Sequence, residues 1–420
     1  MVKLLIIADD FTGALDTGIQ FAKRGICTQV FTKCRPESFE IKKDTEVLVV
    51  DTESRPMSPA EAYKAVNSAA SWGADWGIEI IFKKTDSALR GNIGAELQAS
   101  ADVYGDKTLY FLPAYPEIDR IIKKGTEYIS GKLLQDSVFG KDPFEPAKKS
   151  YIPDIIKEQS DITVACLGNR EPVSRLKKNG RQVVVCDALN AEDIDIRLNE
   201  LIQEGGLKLI AGCAALADRL VEKIVFQRTE SKKFYKTDQI YVACGSLNKI
   251  TQEQVEFADN SCGFSRRHLT LEQKLKSEYY ETSEGISFLS EIFSLLEDEK
   301  KVIIDTLDMD ENKEEFLKAN NISDEDVRFL IAQAHGHIVK EIMDHRMDAT
   351  VLLTGGDTLM GYMKLIGCTQ IEPVCEIEQG AVVSWIEWNG CRQQIISKSG
   401  GFGTKDILCK IAHKILKQNI

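Results

Sequence analysis

The sequence predicts an α/β protein built from two domains, each with a mostly parallel sheet covered by helices. Short apolar runs alternate with helical patterns along most of the chain, which is typical of parallel sheets. A polar run at 227–233 (QRTESKK) separates two such series. The length of 420 residues suffices for two or three domains, each with its own core. We therefore predict domains over 1–230 and 238–420.

In the first domain, the apolar runs predict strands and the periodic stretches between them predict helices. We expect strands near 2–7, 28–32, 46–51, 78–83, 107–112, 162–167, 182–187 and 208–213, and helices near 13–24, 58–72, 93–104, 191–204 and 214–226. The stretch 113–153 interrupts this alternation because five prolines break it. We expect long loops there that form a lid over a site, since loops of that length are usually functional.

The second domain repeats the alternation and then becomes richer in β-structure. We expect strands near 239–244, 301–305 and 349–353, helices near 251–259, 285–297 and 323–346, a β-rich segment near 374–388 and 392–398, and a last helix near 404–417. Another helix pattern follows the glycine pair after the strand at 349–353.

The charge balance excludes some classes of partner. Lys and Arg number 53 against 65 Asp and Glu, a formal net charge of −12. This argues against nucleic acid or an anionic membrane as the main partner. The N-terminus has too short an apolar run for a signal peptide, and no run approaches the roughly 20 residues of a membrane span. We expect a cytoplasmic protein.

Cysteine and histidine do not suggest a metal site. The eleven cysteines include no Cys-x-x-Cys pair, so we interpret them as reduced core residues. His335 and His337 lie two apart in a helical pattern and cannot share a face, so a solvated helix is expected there. The sequence identifies no metal ligands. Four of the cysteines lie inside apolar runs: Cys166, Cys186, Cys213 and Cys244.

Two predicted strands of the first domain end in acidic, hydroxyl-rich segments. The segment 84–92 (KTDSALRGN) follows one strand, and 8–18 (ADDFTGALDTG) follows the first strand. Ligands of open α/β sheets bind outside the carboxyl ends of strands, so we expect one shared site. There Arg90 would fork onto a substrate carboxylate, and Asp86 would accept a proton from a substrate hydroxyl. Lys83 and Lys84 would complete a local basic cluster.

Three small-residue turns of the second domain each join a strand to a helix. They lie at 244–248 (CGSLN), 354–358 (TGGDT) and 399–404 (SGGFGT). Backbone N–H groups and the positive end of a helix dipole converge at such turns, which suits a phosphate group. Neither a Walker motif nor Gly-x-Gly-x-x-Gly after a strand occurs, so a standard dinucleotide fold is disfavoured.

At these motifs the chain resembles the four-carbon acid sugar kinase family, which has a sugar-binding N-terminal domain and a nucleotide-binding C-terminal domain. The matching segments run from end to end of the chain in family order. They are 8–18 (ADDFTGALDTG), 83–96 (KKTDSALRGNIGAE), 141–146 (KDPFEP), 245–246 (GS), 251–254 (TQEQ), 354–358 (TGGDT) and 398–403 (KSGGFG).

The resemblance implies ATP-dependent phosphorylation of a four-carbon sugar acid such as threonate, erythronate or an oxo-tetronate, with Mg²⁺ as cofactor and an active site in the cleft between the domains. Asp10 or Asp86 is expected to be the base or hydroxyl-orienting residue, and the sequence does not decide between them. The expected sugar-acid contacts are Asp9, Thr12, Lys84, Ser87, Arg90 and Arg120. The expected nucleotide contacts are Ser246, Asn248, Gly355, Gly356, Asp357, Thr358, Gly400 and Gly401.

The chain departs from the family pattern at two places. Relatives usually carry Glu where this chain has Asp357, and Gly-Arg where it reads Glu117-Ile118-Asp119-Arg120. Arg120 is interpreted as the counterpart of that arginine, and the change bears on substrate identity more than on reaction type. Two other classes stay open, a non-catalytic nucleotide-gated sugar-acid sensor and, less favoured, an NAD-dependent dehydrogenase. A homo-oligomer is compatible with all three.

Overall fold

The protein divides into two compact units, Met1–Ser231 and Lys232–Ile420. The structure, a computed structural model, describes residues 1–32, 40–105, 107–141, 146–176, 180–245, 248–307, 312–345 and 347–417. In these residues no helix is both long and apolar enough to cross a membrane.

Unit 1 consists of strands alternating with helices. Its strands are β1 (Leu4–Ala8), β2 (Thr28–Phe31), β3 (Val47–Asp51), β4 (Ile80–Lys84), β5 (Thr108–Leu112), β6 (Arg120–Lys123), β7 (Thr126–Ile129), β8 (Lys132–Leu133), β9 (Thr163–Leu167), β10 (Gln182–Cys186) and β11 (Leu209–Gly212). Its helices are α1 (Phe11–Ala22), α2 (Pro59–Asp75), α3 (Ile93–Val103), α4 (Ile152–Gln159), α5 (Ala191–Gln203) and α6 (Ala214–Leu220).

The main sheet of unit 1 has the order β2-β3-β1-β4-β11-β5-β10-β9, and its pairings are parallel. Strand β1 is apolar and fully buried, as expected of a central parallel strand with helices on both faces. After β1 the chain adds β2 and β3 on one side and then places β4 on the other. The gap between the carboxyl ends of β1 and β4 is therefore a topological switch point, where such sheets bind ligands.

The prediction of loops over 113–153 is wrong in its central part. There β6, β7 and β8 form an antiparallel three-stranded sheet. The register of β6 and β7 sets Arg120 opposite Ile129, and Ile122 opposite Glu127. These four side chains share one face, because successive side chains of a strand alternate between faces. Helix α4 was also missed, and residues 142–145 of the KDPFEP motif lie outside the described residues.

Unit 2 repeats the alternation of strands and helices and ends on an antiparallel extension. Its strands are β12 (Gln239–Cys244), β13 (Ser265–His268), β14 (Lys301–Asp305), β15 (Ala349–Thr354), β16 (Gln370–Glu378), β17 (Ala381–Trp388) and β18 (Cys391–Lys398). Its helices are α7 (Lys249–Cys262), α8 (Leu271–Leu275), α9 (Ser283–Glu299), α10 (Lys313–Ala319), α11 (Asp324–Asp344), α12 (Gly356–Leu365) and α13 (Ile407–Ile415).

The sheet of unit 2 has the order β13-β14-β12-β15-β18-β17-β16. The first five strands are parallel neighbours, whereas β16 and β17 pair antiparallel. Here too the chain fills one side of the first strand, β12, before it places β15 on the other side. A second switch point therefore lies between the carboxyl ends of β12 and β15.

Two expectations about cysteine and histidine are wrong in part. Cys186, Cys213 and Cys244 are buried as predicted, but Cys166 is exposed. Cys262 at the end of α7 and Cys409 in α13 form a disulfide, with Cα atoms 5.8 Å apart, so these two are not reduced. The partners are 147 residues apart in sequence, which leaves no local pattern by which they could have been paired.

The helix that carries His335 and His337 is not simply solvated. His335 is fully buried, and the ring of His337 stacks on that of Tyr280 with centroids 5.3 Å apart. Burial lowers the pKa of His335 to about 4, so this imidazole is uncharged at neutral pH.

Candidate functional site

The two acidic strand ends of unit 1 meet at its switch point. The register of β1 and β4 pairs Ala8 with Lys84, so the segments that follow start side by side. Asp10 caps the N-terminus of α1 and accepts a hydrogen bond from the Gly13 N–H at 3.1 Å. A Cβ on Gly13 would lie 1.8 Å from the Lys84 Nζ. Glycine is therefore required there for the lysine to reach Asp10.

Three carboxylates and three cations form one connected cluster at this switch point. The Lys84 Nζ lies 3.1 Å from Asp9 and 3.0 Å from Asp10. The Arg55 Nη2 lies 2.7 Å from Asp9 and 2.8 Å from Asp10. Arg90 forks onto Asp86, with Nε 2.7 Å and Nη2 3.2 Å from its carboxylate oxygens. The Arg55 Nη2 also lies 3.9 Å from Asp86, which joins the two halves of the cluster. The structure thus brings together five residues that the sequence singled out and adds Arg55, with the formal charges balanced.

Arg55 is the member of this cluster that the sequence analysis missed. It lies in the loop after β3, and β3 is the parallel neighbour of β1, so the two strands end at the same edge. Its backbone N–H donates to the Asp9 carbonyl at 3.2 Å. The signal was present in the sequence, because the expected strand at 46–51 runs directly into the polar segment 52–56 (TESRP).

The cations of the cluster keep Asp9 and Asp86 charged. Burial alone would raise the pKa of Asp9, but Arg55 and Lys84 hold that pKa well below its usual range. Burial likewise opposes the charged form of Asp86, and Arg90 and Arg55 hold its pKa well below the usual range. Carboxylates with such depressed pKa values are poor proton acceptors. Asp10 is the most exposed of the three, with 26% of its side chain accessible.

Arg120 is a cation of this region that forms no ion pair with a described carboxylate. Its Nη1 donates to the Ser87 Oγ, and its guanidinium lies over the Phe139 ring, 4.6 Å from the centroid. Its Nε is buried without a partner. Within the described ranges no carboxylate lies at ion-pair distance from it. Asp119 before it adopts the left-handed conformation, with φ 61°, which glycine adopts most readily.

Glu127 on β7 was also missed, and it shares the face of the small sheet that carries Arg120. Both carboxyl oxygens of Glu127 are buried without a hydrogen-bond partner. Burial raises its pKa well above the usual range, although Arg120 opposes the shift. Burial therefore opposes the charged form of Glu127.

Two further predicted residues have other positions. Thr12 lies partly buried in the first turn of α1. Lys83 is fully buried and pairs with Glu96 at 2.8 Å, so it is not available to an anionic substrate. The expectation that Lys83 belongs to the basic cluster is wrong because alternation along β4 turns it away from Lys84.

In unit 2, the carboxyl ends of four neighbouring strands form a row. The register aligns Asp305, Cys244, Thr354 and Lys398 across β14, β12, β15 and β18. The predicted nucleotide turns leave this row at the switch point. Ser246 lies outside the described residues. Asn248 caps α7 and accepts a hydrogen bond from the Ile250 N–H at 2.9 Å.

The paired glycines begin α12. Gly355 has φ 89° and ψ 141°, a conformation essentially reserved for glycine, and its N–H donates to the Lys398 carbonyl at 2.9 Å. The positive φ of this turn thus lies at Gly355, the first of the two glycines. Thr358 is buried in the first turn of α12. Asp357 is exposed and paired with Arg328 through contacts of 2.6 and 2.8 Å.

The second glycine loop is tied to the start of α7. The Thr251 Oγ donates to the Gly400 carbonyl at 2.8 Å. The Gln254 Nε2 donates to the carbonyls of Phe402 and Gly403 at 3.1 and 3.0 Å. A Cβ on Gly401 would meet no atom within 4 Å. The loop is thus held by its carbonyls, and one of its glycines borders open space.

Comparison with known proteins agrees with this two-part arrangement. Residues 4–220 match a family model described as a sugar-binding N-terminal domain, and residues 241–408 match one described as a nucleotide-binding C-terminal domain. The chain belongs to the four-carbon acid sugar kinase family. It is accordingly a phosphotransferase with an alcohol group as acceptor.

Curated relatives match over almost the whole chain. A D-threonate kinase of Salmonella typhimurium is 27% identical over 99% of this chain and 98% of its own length. A D-erythronate kinase of Heliobacterium modesticaldum is 24% identical over 99% of this chain and 98% of its own length. A 3-oxo-tetronate kinase of Pectobacterium atrosepticum is 26% identical over 61% of this chain and 63% of its own length.

Solved structures share the fold. The crystal structure of a Salmonella typhimurium LT2 protein superposes with a TM-score of 0.81, at 21% identity, over 99% of this chain and 100% of that one. The crystal structure of a Haemophilus influenzae protein superposes with a TM-score of 0.72, at 19% identity, over 98% of this chain and 100% of that one.

Proposed function

We propose that the protein is an ATP-dependent kinase that phosphorylates a hydroxyl of D-threonate, D-erythronate or a closely related tetronate. The observation that carries this proposal is the pair of switch points. One is lined by carboxylates and guanidinium groups, and the other by glycine-rich turns at helix N-termini. The first suits a polyhydroxylated acid and the second a polyphosphate. The names of the full-length relatives support the substrate class.

In unit 1, we assign the substrate carboxylate to Arg120 together with Ser87. From the sequence we predicted Arg90 for this role. In the structure, however, the guanidinium of Arg90 already holds Asp86. Arg120 retains a buried N–H without a partner, and no described carboxylate lies at ion-pair distance from it. A guanidinium with unused donors binds a carboxylate through strong, charge-assisted hydrogen bonds.

We assign the acceptance of the hydroxyl proton to Asp10. Its carboxylate is the most exposed of the three, whereas the pKa of Asp86 lies well below its usual range because Arg90 and Arg55 outweigh the effect of burial. Asp86 then acts by holding Arg90 and Arg55 in place. Phosphoryl transfer depends mainly on such positioning and on charge neutralisation.

In unit 2, we assign the ATP phosphates to the turns at 355–358 and 399–404 and to the start of α7, which includes Asn248. The described residues contain no group of three His, Cys, Asp or Glu side chains arranged to hold a metal ion. This fits Mg²⁺ that arrives on the nucleotide phosphates, as it usually does in kinases. When bound, the ion neutralises charge on the transferring phosphoryl group.

The test is a panel of tetronates incubated with purified protein, ATP and Mg²⁺. The proposal expects ADP release that requires one of the sugar acids, together with a phosphorylated product. Binding of both ligands without turnover would favour the nucleotide-gated sensor. NADH formation from NAD and a sugar acid would instead favour the dehydrogenase.

We further propose that the enzyme is cytoplasmic, since a kinase that phosphorylates a small molecule needs the ATP of the cytoplasm. Fractionation of cells that express the tagged protein tests this location. A homo-oligomer, which the sequence leaves open, is measured by light scattering of the purified protein.

A further inference from the structure

Lys398, the last residue of β18, is a buried cation in unit 2. Its exposed fraction is 1%, and its Nζ donates to the Ser399 carbonyl at 2.9 Å. Across the described part of unit 2, no carboxylate lies at ion-pair distance from this ammonium group. An ammonium group that is buried without a counter-charge is strongly unfavourable unless something compensates it.

The ammonium group lies on the side of the sheet covered by α7 and α13. Ile396 packs in the cluster that includes Val255 of α7 and Ile411 of α13. Lys398 shares the face of Ile396, because the two are separated by one residue along the strand. On this side the start of α7 holds the loop at 399–404 through Thr251.

The backbone of Lys398 also contacts the other glycine turn. Its carbonyl accepts the N–H of Gly355 at 2.9 Å, and the register pairs Lys398 with Thr354. The lysine therefore stands between the two glycine-rich turns and beside a helix N-terminus. Backbone N–H groups and a helix dipole already favour an anion at that place.

We propose that Lys398 binds the polyphosphate of the nucleotide and that this phosphate supplies the counter-charge that the described residues of unit 2 do not. The inference rests on the proposed nucleotide site of unit 2 and adds to it a charged side chain. It also accounts for the position of the lysine at the end of a buried strand, where an apolar residue would otherwise be expected.

The titration of Lys398 predicts a pH dependence of ADP binding, which a lysine that only packs against its neighbours would not cause. Burial lowers its pKa to about 8, and only the Cys244 thiol opposes the shift. Of the other titratable groups nearby, His335 is uncharged, Asp305 is paired with Arg266, and Asp357 is paired with Arg328. Above pH 8 the free protein should lose this charge, so that binding of ADP must recover a proton and becomes weaker.

The experiment is calorimetric titration of ADP into the full chain at pH 7 and pH 9. Lys398→Met should weaken ADP binding about tenfold or more at pH 7, as expected for the loss of a hydrogen bond to a charged group. Lys398→Arg keeps its charge at both pH values, so its ADP affinity should change less with pH than that of the wild type. Lys340→Met, which removes a surface lysine paired with Asp344, is the matched control and should bind ADP like the wild type.

Unchanged ADP affinity in folded Lys398→Met would overturn the inference and leave the kinase proposal intact. If Lys398→Met fails to fold, the pH dependence of ADP binding in Lys398→Arg decides. An equal loss of ADP affinity between pH 7 and pH 9 in Lys398→Arg and in the wild type would overturn the inference. Failure of the wild type to bind ADP at all would overturn the nucleotide site itself.

Discussion

Replacing Arg120 by lysine tests the assignment of the substrate carboxylate. Lysine keeps the positive charge but loses the planar fork of N–H donors. In the structure one donor of Arg120 is used by Ser87 and its Nε is unused, so a carboxylate would gain at least one charge-assisted hydrogen bond that lysine does not reproduce. Such a bond contributes about 1.5–3 kcal/mol, which corresponds to a tenfold to hundredfold increase in KM for the sugar acid.

The assay is steady-state kinetics with the sugar acid varied at saturating ATP, together with calorimetric ADP affinity. ADP affinity should be unchanged. Arg175→Lys is the matched control, because Arg175 is exposed and pairs with Glu171 in the same unit, and its kinetics should equal those of the wild type. If Arg90→Lys raised KM by this factor while Arg120→Lys did not, the carboxylate would belong to Arg90.

The remaining predictions concern the base, the glycine turn and a buried histidine. Asp10→Asn should lower kcat by about 10²–10⁴ with a small change in KM. Asp86→Asn frees Arg90, so this variant should also raise KM. Single-turnover kinetics separates the two variants, and equal effects would refute the assignment of Asp10 as the proton acceptor. Gly355→Val should abolish ADP binding measured by calorimetry, because valine cannot adopt φ 89°. Gly390→Val, which strains the turn between β17 and β18 in the same way at φ 69°, is the control and should bind ADP normally. Intact ADP binding in folded Gly355→Val would refute the loop's role. The folded-state pKa of His335, about 4, lies below its unfolded value, so the stability it contributes is present above pH 6.5 and is lost as the pH falls towards 4. Between pH 7 and pH 4.5, the free energy of unfolding measured in urea should fall by up to about 3 kcal/mol more in the wild type than in His335→Gln. An equal fall in both proteins would contradict the prediction.

The sequence identified the parallel strands because buried central strands are continuous apolar runs. It also identified the two loops after β1 and β4, since both gather acidic and hydroxyl side chains directly after an apolar run. The order of strands is not visible in such runs. Only the sheet order shows that these two loops start side by side at a switch point, and that the carboxyl ends of β12 and β15 form another.

Other features depend on contacts between distant residues. The small sheet β6–β8 was missed because its strands have only two to four residues, too few to show a periodic pattern. Glu127 becomes notable only once its pairing with Ile122 places it beside Arg120. His335 is buried because it lies on the same face of α11 as the buried Ile331, Ile338 and Ile342, a spacing that we did not use when we expected a solvated helix.

The transfer reaction itself is the most direct test of the central claim. ATP labelled with ¹⁸O in its γ-phosphoryl group is incubated with the protein, Mg²⁺ and D-threonate or D-erythronate, and the sugar acid is examined by mass spectrometry. The account predicts a labelled phosphorylated tetronate formed in equal amount with ADP, and its loss in Asp10→Asn. Folded wild-type protein that binds ADP but transfers no label to any tetronate would contradict it.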